Sequence, residues 1–131
     1  MKKFVSHDSK LDLPYAIELY LDEVRDNKNG LVFLFSDPSS KFQVEVKFDS
    51  QLMYRVSDES YRLKRTSELP EFSFVMKADE SSFIDWFHEE SLNIYTKDRI
   101  HHFLILSSDD VIDVLSYEEP SITLMKFVVE F

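Results

Sequence analysis

The chain has 131 residues, 44% hydrophobic and 15% aromatic, with twelve phenylalanines, one glycine and no cysteine. That length suits one domain, residues 1–131, whose folding buries roughly two-thirds of the extended chain's surface; the missing thiols exclude disulfides, thiolate metal sites and cysteine nucleophiles. A formal net charge of −10 disfavours nucleic acid and anionic membranes as partners and favours a cationic one.

Residues 1–13 lack periodicity and contain no signal-peptide apolar region, and no apolar run reaches the ~20 residues that span a bilayer. A cytoplasmic location is therefore expected. Tyr15, Ile17, Leu19 and Leu21 alternate with more polar neighbours as in a half-buried strand. A helix starting at Pro14 would instead align Leu13, Ile17, Tyr20, Leu21 and Val24. Residues 25–30, ending Asn29-Gly30, read as a hairpin loop in which glycine is free of the steric cost of positive φ.

Residues 31–35 are apolar on both faces, the mark of a central strand, and a turn follows at residues 36–40. Phe42, Val44, Val46 and Phe48 alternate with Gln43, Glu45 and Lys47, so one face of that strand meets water. Leu52, Tyr54 and Val56 continue the alternation after Asp49-Ser50, which predicts a meander of adjacent antiparallel strands. Residues 57–70 read as an irregular excursion, and Phe72, Phe74 and Met76 resume a strand.

Ser82 is expected to cap a helix over residues 82–91, with Asp85 at the third helical position completing a capping box. Phe83, Ile84 and Phe87 then share one face, Asp85, His88 and Glu89 the other, and Trp86 and Glu90 the border. Beyond a linker at residues 93–99, residues 102–106 suit a buried strand, residues 111–115 a strand or one helical turn, and residues 122–129 the last strand. The fold class that results is α+β: an antiparallel, meander-rich curved sheet with one main helix packed on it.

A single glycine leaves no phosphate-cradling loop of the Walker or Rossmann kind, and G-x-S-x-G, H-E-x-x-H and EF-hand patterns are missing too. One group of side chains has chemical potential: His88, Glu89, Glu90, His101, His102, Asp109, Asp110 and Asp113. Imidazoles beside carboxylates suit a divalent metal or an acid–base pair. However, adjacent residues diverge by ~100° on a helix, and His101 and His102 point to opposite faces of a strand. The plainer reading, with His102 tucked into the sheet and the acids forming a solvated rim, is favoured; no metal or cofactor is expected.

Charge is unevenly distributed. Residues 1–65 hold eleven basic and eleven acidic side chains, whereas residues 66–131 hold four and fourteen. Asp109, Asp110, Asp113, Glu118 and Glu119 flank two successive turns and, if both lie at one end of the sheet, form a negative rim near Asp85, Glu89 and Glu90. Such a rim either receives a basic protein or guards an edge against aggregation. Trp86 is either core or an interface anchor, with core favoured. Tyr54-Arg55 and Tyr61-Arg62 could stack on bases, but ordinary surface and sheet roles fit the charge better.

Residues 54–63, 82–91 and 102–115 resemble a group of small bacterial proteins without assigned activity. In size, acidity and lack of motifs the chain also resembles immunity proteins of bacterial polymorphic-toxin systems, which bind and block a cognate toxin domain. That resemblance implies a non-enzymatic partner-binding role. The expected function is thus a protein-binding module whose acidic C-terminal half meets a basic partner, a toxin domain among the candidates, through Asp85, Trp86, Glu89, Glu90, Asp109, Asp110 and Asp113. The alternatives are a small metal-dependent or acid–base enzyme using His88, His101 or His102 with nearby carboxylates, and a protein that self-associates through a sheet edge or an exposed aromatic patch.

Overall fold

Alternation along one strand shows how the layers are built: Val44, Val46 and Phe48 are wholly buried, while Gln43, Glu45 and Lys47 between them remain partly exposed. The computed structural model describes residues 4–6, 18–67 and 74–126. Among them are nine strands: β1 (Val5–Ser6), β2 (Tyr20–Asn27), β3 (Gly30–Ser36), β4 (Phe42–Phe48), β5 (Gln51–Asp58), β6 (Val75–Ala78), β7 (His101–Leu106), β8 (Asp110–Ser116) and β9 (Ser121–Lys126). A 3₁₀ turn (Glu59–Tyr61) and a short helix α1 (Leu63–Ser67) follow β5, and the main helix α2 (Ser82–Glu90) follows β6.

The α+β class and the single main helix are as expected, but the strands divide into two antiparallel sheets. One runs β1-β6-β7-β8-β5 and the other β2-β3-β4-β9. Their inner faces meet in a core of Leu31, Phe33, Phe35, Val44, Val46 and Phe48 against Val75, Phe103, Ile105, Ile112 and Val114. Edge-to-face aromatic pairs join the layers, with Phe33 5.9 Å from Tyr54 and Phe48 5.6 Å from Phe103.

The expected meander breaks between β4 and β5. β5 leaves its predecessor's sheet and pairs with β8, and β9 takes the vacated side of β4. Period-two alternation sets which face of a strand is buried and says nothing about which strand lies beside it. The crossing is fastened at Ser50: its carbonyl accepts from Tyr117 N–H (3.3 Å), and its Oγ accepts from Glu118 N–H (3.0 Å). The β4–β5 and β8–β9 passages between the sheets are therefore tied together.

Other boundaries shift for local reasons. β2 continues to Asn27, so the hairpin loop is only Lys28-Asn29. Asp37 organises the next turn by accepting from Phe42 N–H (2.9 Å) and Ser39 Oγ (2.6 Å). Instead of an irregular excursion, residues 57–67 form the end of β5, the 3₁₀ turn and α1, and residues 68–70 lie outside the described residues. Residues 111–115 form strand β8 rather than a helical turn. The expected strand positions Tyr15, Ile17 and Phe72, and residues 127–129, lie outside the described residues.

β7 and β8 are buried along most of their length because both faces of their sheet are covered. The face away from the second sheet carries Met76, Ala78, His102, Leu104, Asp113 and Leu115, and is roofed by Phe4 and by Phe83, Ile84 and Phe87 of α2. No helix among the described residues is long and apolar enough to cross a membrane.

Gly30 opens β3 at φ +122°, where a Cβ would sit 2.7 Å from the Phe48 carbonyl oxygen. Gly30→Ala should therefore lower the unfolding free energy by about 1–3 kcal/mol. Urea denaturation checks this, and an unchanged midpoint would contradict the close approach.

Candidate docking face and the polar cluster beneath it

Phe103 and Ile105 turn into the sheet–sheet core, so the strand period sends His102 to the opposite face, under α2. There its Nε2 lies 2.7 Å from Asp113 Oδ1 and its Nδ1 lies 2.7 Å from Ser81 Oγ. Arg55 Nε donates to Asp113 Oδ2 at 3.0 Å, and Arg62 donates to both carboxylate oxygens. The Phe4 and Phe83 rings close over the imidazole at 4.8 and 5.4 Å. Arg55 lies 4.1 Å from the centre of Phe83, and Arg65 5.1 Å from that of Phe4.

Burial pushes the His102 pKa down despite the hydrogen bond to Asp113. Burial also works to raise Asp113, but hydrogen bonds from His102 and Arg62, with further help from Arg55, hold it well below the usual carboxylate range. A neutral imidazole and an ionised carboxylate assign the protons. His102 Nε2–H donates to Asp113, the Ser81 hydroxyl donates to Nδ1, and Ser81 Oγ accepts from Ile84 N–H at 3.1 Å.

Ser81, not Ser82, is thus the N-cap of α2, with extended backbone at φ −163° and ψ 163°. Asp85 is displaced to the fourth helical position. Serine, imidazole and carboxylate are linked in the order of a nucleophilic triad but through the opposite ring nitrogens, Nδ1 facing Ser81 and Nε2 facing Asp113, and Ser81 is 2% exposed and His102 and Asp113 are 0% exposed. In this closed arrangement the cluster fastens the start of α2 to β7 and β8.

The residues expected to meet a partner are not gathered in one place. Asp113 is a correction: inside the sheet and bonded to two arginines and a histidine, it presents nothing to a partner. Asp109 is exposed and Asp110 partly so, at the β7–β8 turn. Glu118 and Glu119 follow the other end of β8, and a seven-residue strand holds its ends ~20 Å apart, so the two acidic turns form no common rim. Instead Asp109 and Asp110 meet the end of β5, where Asp58 pairs with Asp110 and Glu59 N–H donates to Asp109 O at 2.8 Å. Burial, then Asp109 and Asp58, raise the Asp110 pKa.

The histidines disperse as well. His101 Nδ1 lies 2.6 Å from Asp79, while His88 sits beside Phe87 on α2. Among the described residues no three His, Asp or Glu side chains are grouped to hold a metal ion. Ser81, Arg55, Arg62 and Phe4 complete the cluster; Ser81 and Phe4 were not singled out from the sequence, and Arg55 and Arg62 were considered there only as parts of Tyr-Arg pairs, not as partners of Asp113. One clue was available, since a lone aspartate within Val-Ile-Asp-Val-Leu signals a buried charge that needs partners.

Asp85, Trp86, Glu89 and Glu90 do share one place, the exposed side of α2. Trp86 is 45% exposed rather than core, because Phe83, Ile84 and Phe87 already fill the buried arc. It stacks on Phe83 with ring centres 5.8 Å apart and planes 27° apart. Past α2, Leu92 (82%) and Ile94 (73%) are largely exposed, and Tyr95 packs 5.8 Å from Phe87 beside the helix end. Leu92 and Asn93 take left-handed φ values of 55° and 59°, a conformation uncommon for leucine.

Asp113→Ala, which strands two arginines beside a buried imidazole, should destabilise the fold by about 3–5 kcal/mol in urea titrations. Both depressed pKa values mean that the unfolded chain takes up protons first. Stability should therefore fall as pH drops below 6.5, the ordinary value for histidine, and fall further below 3.8, that for aspartate. His102→Gln should flatten the first decline and spare the second; equal slopes for both proteins near pH 6 would rule out the neutral, buried imidazole. No protein family, no curated protein and no solved structure matches this chain.

Proposed function

We propose that the chain is a protein-binding module that docks a basic partner surface through the exposed side of α2 and residues 91–99. The observation that carries this reading is Trp86, held half-exposed on a rigid helix between Asp85, Glu89 and Glu90, with Leu92 and Ile94 close behind it in the chain. An exposed tryptophan with acidic neighbours combines the residue that most often dominates interface energy with charges that steer a cationic partner. Residues 79–99 contain Asp79, Glu80, Asp85, Glu89, Glu90 and Asp98 against Lys97 and Arg99, so the field over this face is negative.

An immunity-type inhibitor that occludes a cationic toxin domain is the form of this function suggested by the resemblance in size and acidity. Blockade would be steric, with association driven by charge and weakened by salt.

The rival reading, acid–base or nucleophilic chemistry at His102, draws support from the Ser81–His102–Asp113 connectivity. It requires Ser81 to open to a substrate. Covalent labelling of Ser81 by a serine-directed phosphonate reagent would favour this rival over the docking reading.

Immobilised wild-type protein should retain a basic protein at low salt and release it at high salt. Trp86→Ala should weaken that complex at least tenfold, about 1.4 kcal/mol or more, and Glu89→Lys with Glu90→Lys should abolish it. Calorimetry on the isolated pair gives the numbers. Binding untouched by these changes but lost with Asp109→Lys and Asp110→Lys would move the docking face to the far end of the sheet.

A further inference from the structure

A sheet edge invites pairing with another chain unless it is short, bulged or charged, and three of the four strand edges here carry such a guard. Among the described residues β1 spans only Val5–Ser6. β2 is irregular between Leu21 and Glu23 and bears Asp22, Glu23, Arg25 and Asp26. β5 is irregular between Gln51 and Met53 and bears Arg55 and Asp58. β9 differs: its register with β4 is unbroken over six residues, and Ser121, Ile122, Thr123, Leu124 and Met125 are uncharged. Among the described residues nothing pairs with its other side.

We propose that β9 is a homodimer edge, pairing antiparallel with β9 of a second copy of this chain. Three features of the strand favour a second copy. Antiparallel pairing about a two-fold axis at Thr123 places this exposed threonine against its own counterpart, a favourable cross-strand pair. It also sets Ile122 opposite Leu124; both are only partly buried at the rim of the sheet–sheet core, so each copy would finish covering the other. Finally, Glu118 and Glu119 precede β9 and Lys126 ends it, so the basic end of each strand meets the acidic end of its partner. The two four-stranded sheets would then run on as a single sheet of eight.

The net charge of −10 per chain opposes this association. Dimerisation should consequently strengthen with salt, whereas docking of a basic partner weakens with it, so either proposal can fail without the other.

Sedimentation velocity of the full chain across a concentration series, at low and high salt, tests the assignment. A monomer–dimer equilibrium that shifts toward dimer at high salt is expected, and Thr123→Lys should abolish it. In an independent test, Thr123→Cys should form, on mild oxidation, a disulfide-linked species of twice the 15.6 kDa chain mass. A Lys28→Cys control in the β2–β3 turn should not. Monomer at every concentration and salt, a dimer that survives Thr123→Lys, or equal crosslinking by both cysteine variants would each overturn the proposal. Should Thr123→Lys fail to fold, the crosslinking comparison decides alone.

Discussion

The carboxylate of Asp113 is the constraint on which much of the rest depends. An ionised group at 0% exposure is intolerable unless its lone pairs are filled, and here they are filled by His102, Arg55 and Arg62 from three separate parts of the chain. To meet it, β5 must lie beside β8 so that Arg55 sits opposite Asp113. The chain beyond β5 must fold back so that Arg62 reaches the same oxygens. On β7, His102 must face outward, away from the sheet–sheet core. An apolar sheet face could pack in several registers at similar energy; a buried charge with three named donors accepts one.

Through His102 the same constraint reaches the surface. The imidazole nitrogen left over from Asp113 takes the Ser81 hydroxyl, Ser81 caps α2, and the cap sets where the helix begins and which arc it buries. Once Phe83, Ile84 and Phe87 occupy that arc, Trp86 has only the flank. Its exposure follows from packing several residues away, and the acids beside it share the solvent side because the helical period puts them there.

Local patterns made part of this legible. Alternation marked β4, the doubly apolar run marked the central β3, and the spacing of Phe83, Ile84 and Phe87 marked α2, since each depends only on neighbours in sequence. Pairing between sheets was hidden: β5 and β4 alternate alike, and the choice of β8 over β4 as partner rests on contacts such as Arg55 with Asp113, 58 residues apart. The acidic rim failed for a related reason. Counting charges placed Asp109, Asp110, Glu118 and Glu119 together, but the strand between them keeps them at opposite ends. The cap was misplaced by one residue because Ser81 and Ser82 are chemically equivalent, and only the imidazole of His102 distinguishes them.

The connections at Ser50 and beyond Ser116, where the chain passes from one sheet to the other, also bear on how the molecule assembles. Bonds such as that from Glu118 N–H to Ser50 Oγ span 68 residues. The β2–β3, β3–β4 and β7–β8 hairpins can form locally, but the β5–β8 and β4–β9 pairings that complete the two sheets join distant segments, so loop-closure entropy must be overcome before the full core gives its return. A topology of this kind belongs with the slow, milliseconds-to-seconds class of folders. While β4 waits for β9, the alternating strand Phe42–Phe48 is left open on one side, so nascent chains of this protein pass through a period in which they are most vulnerable to one another.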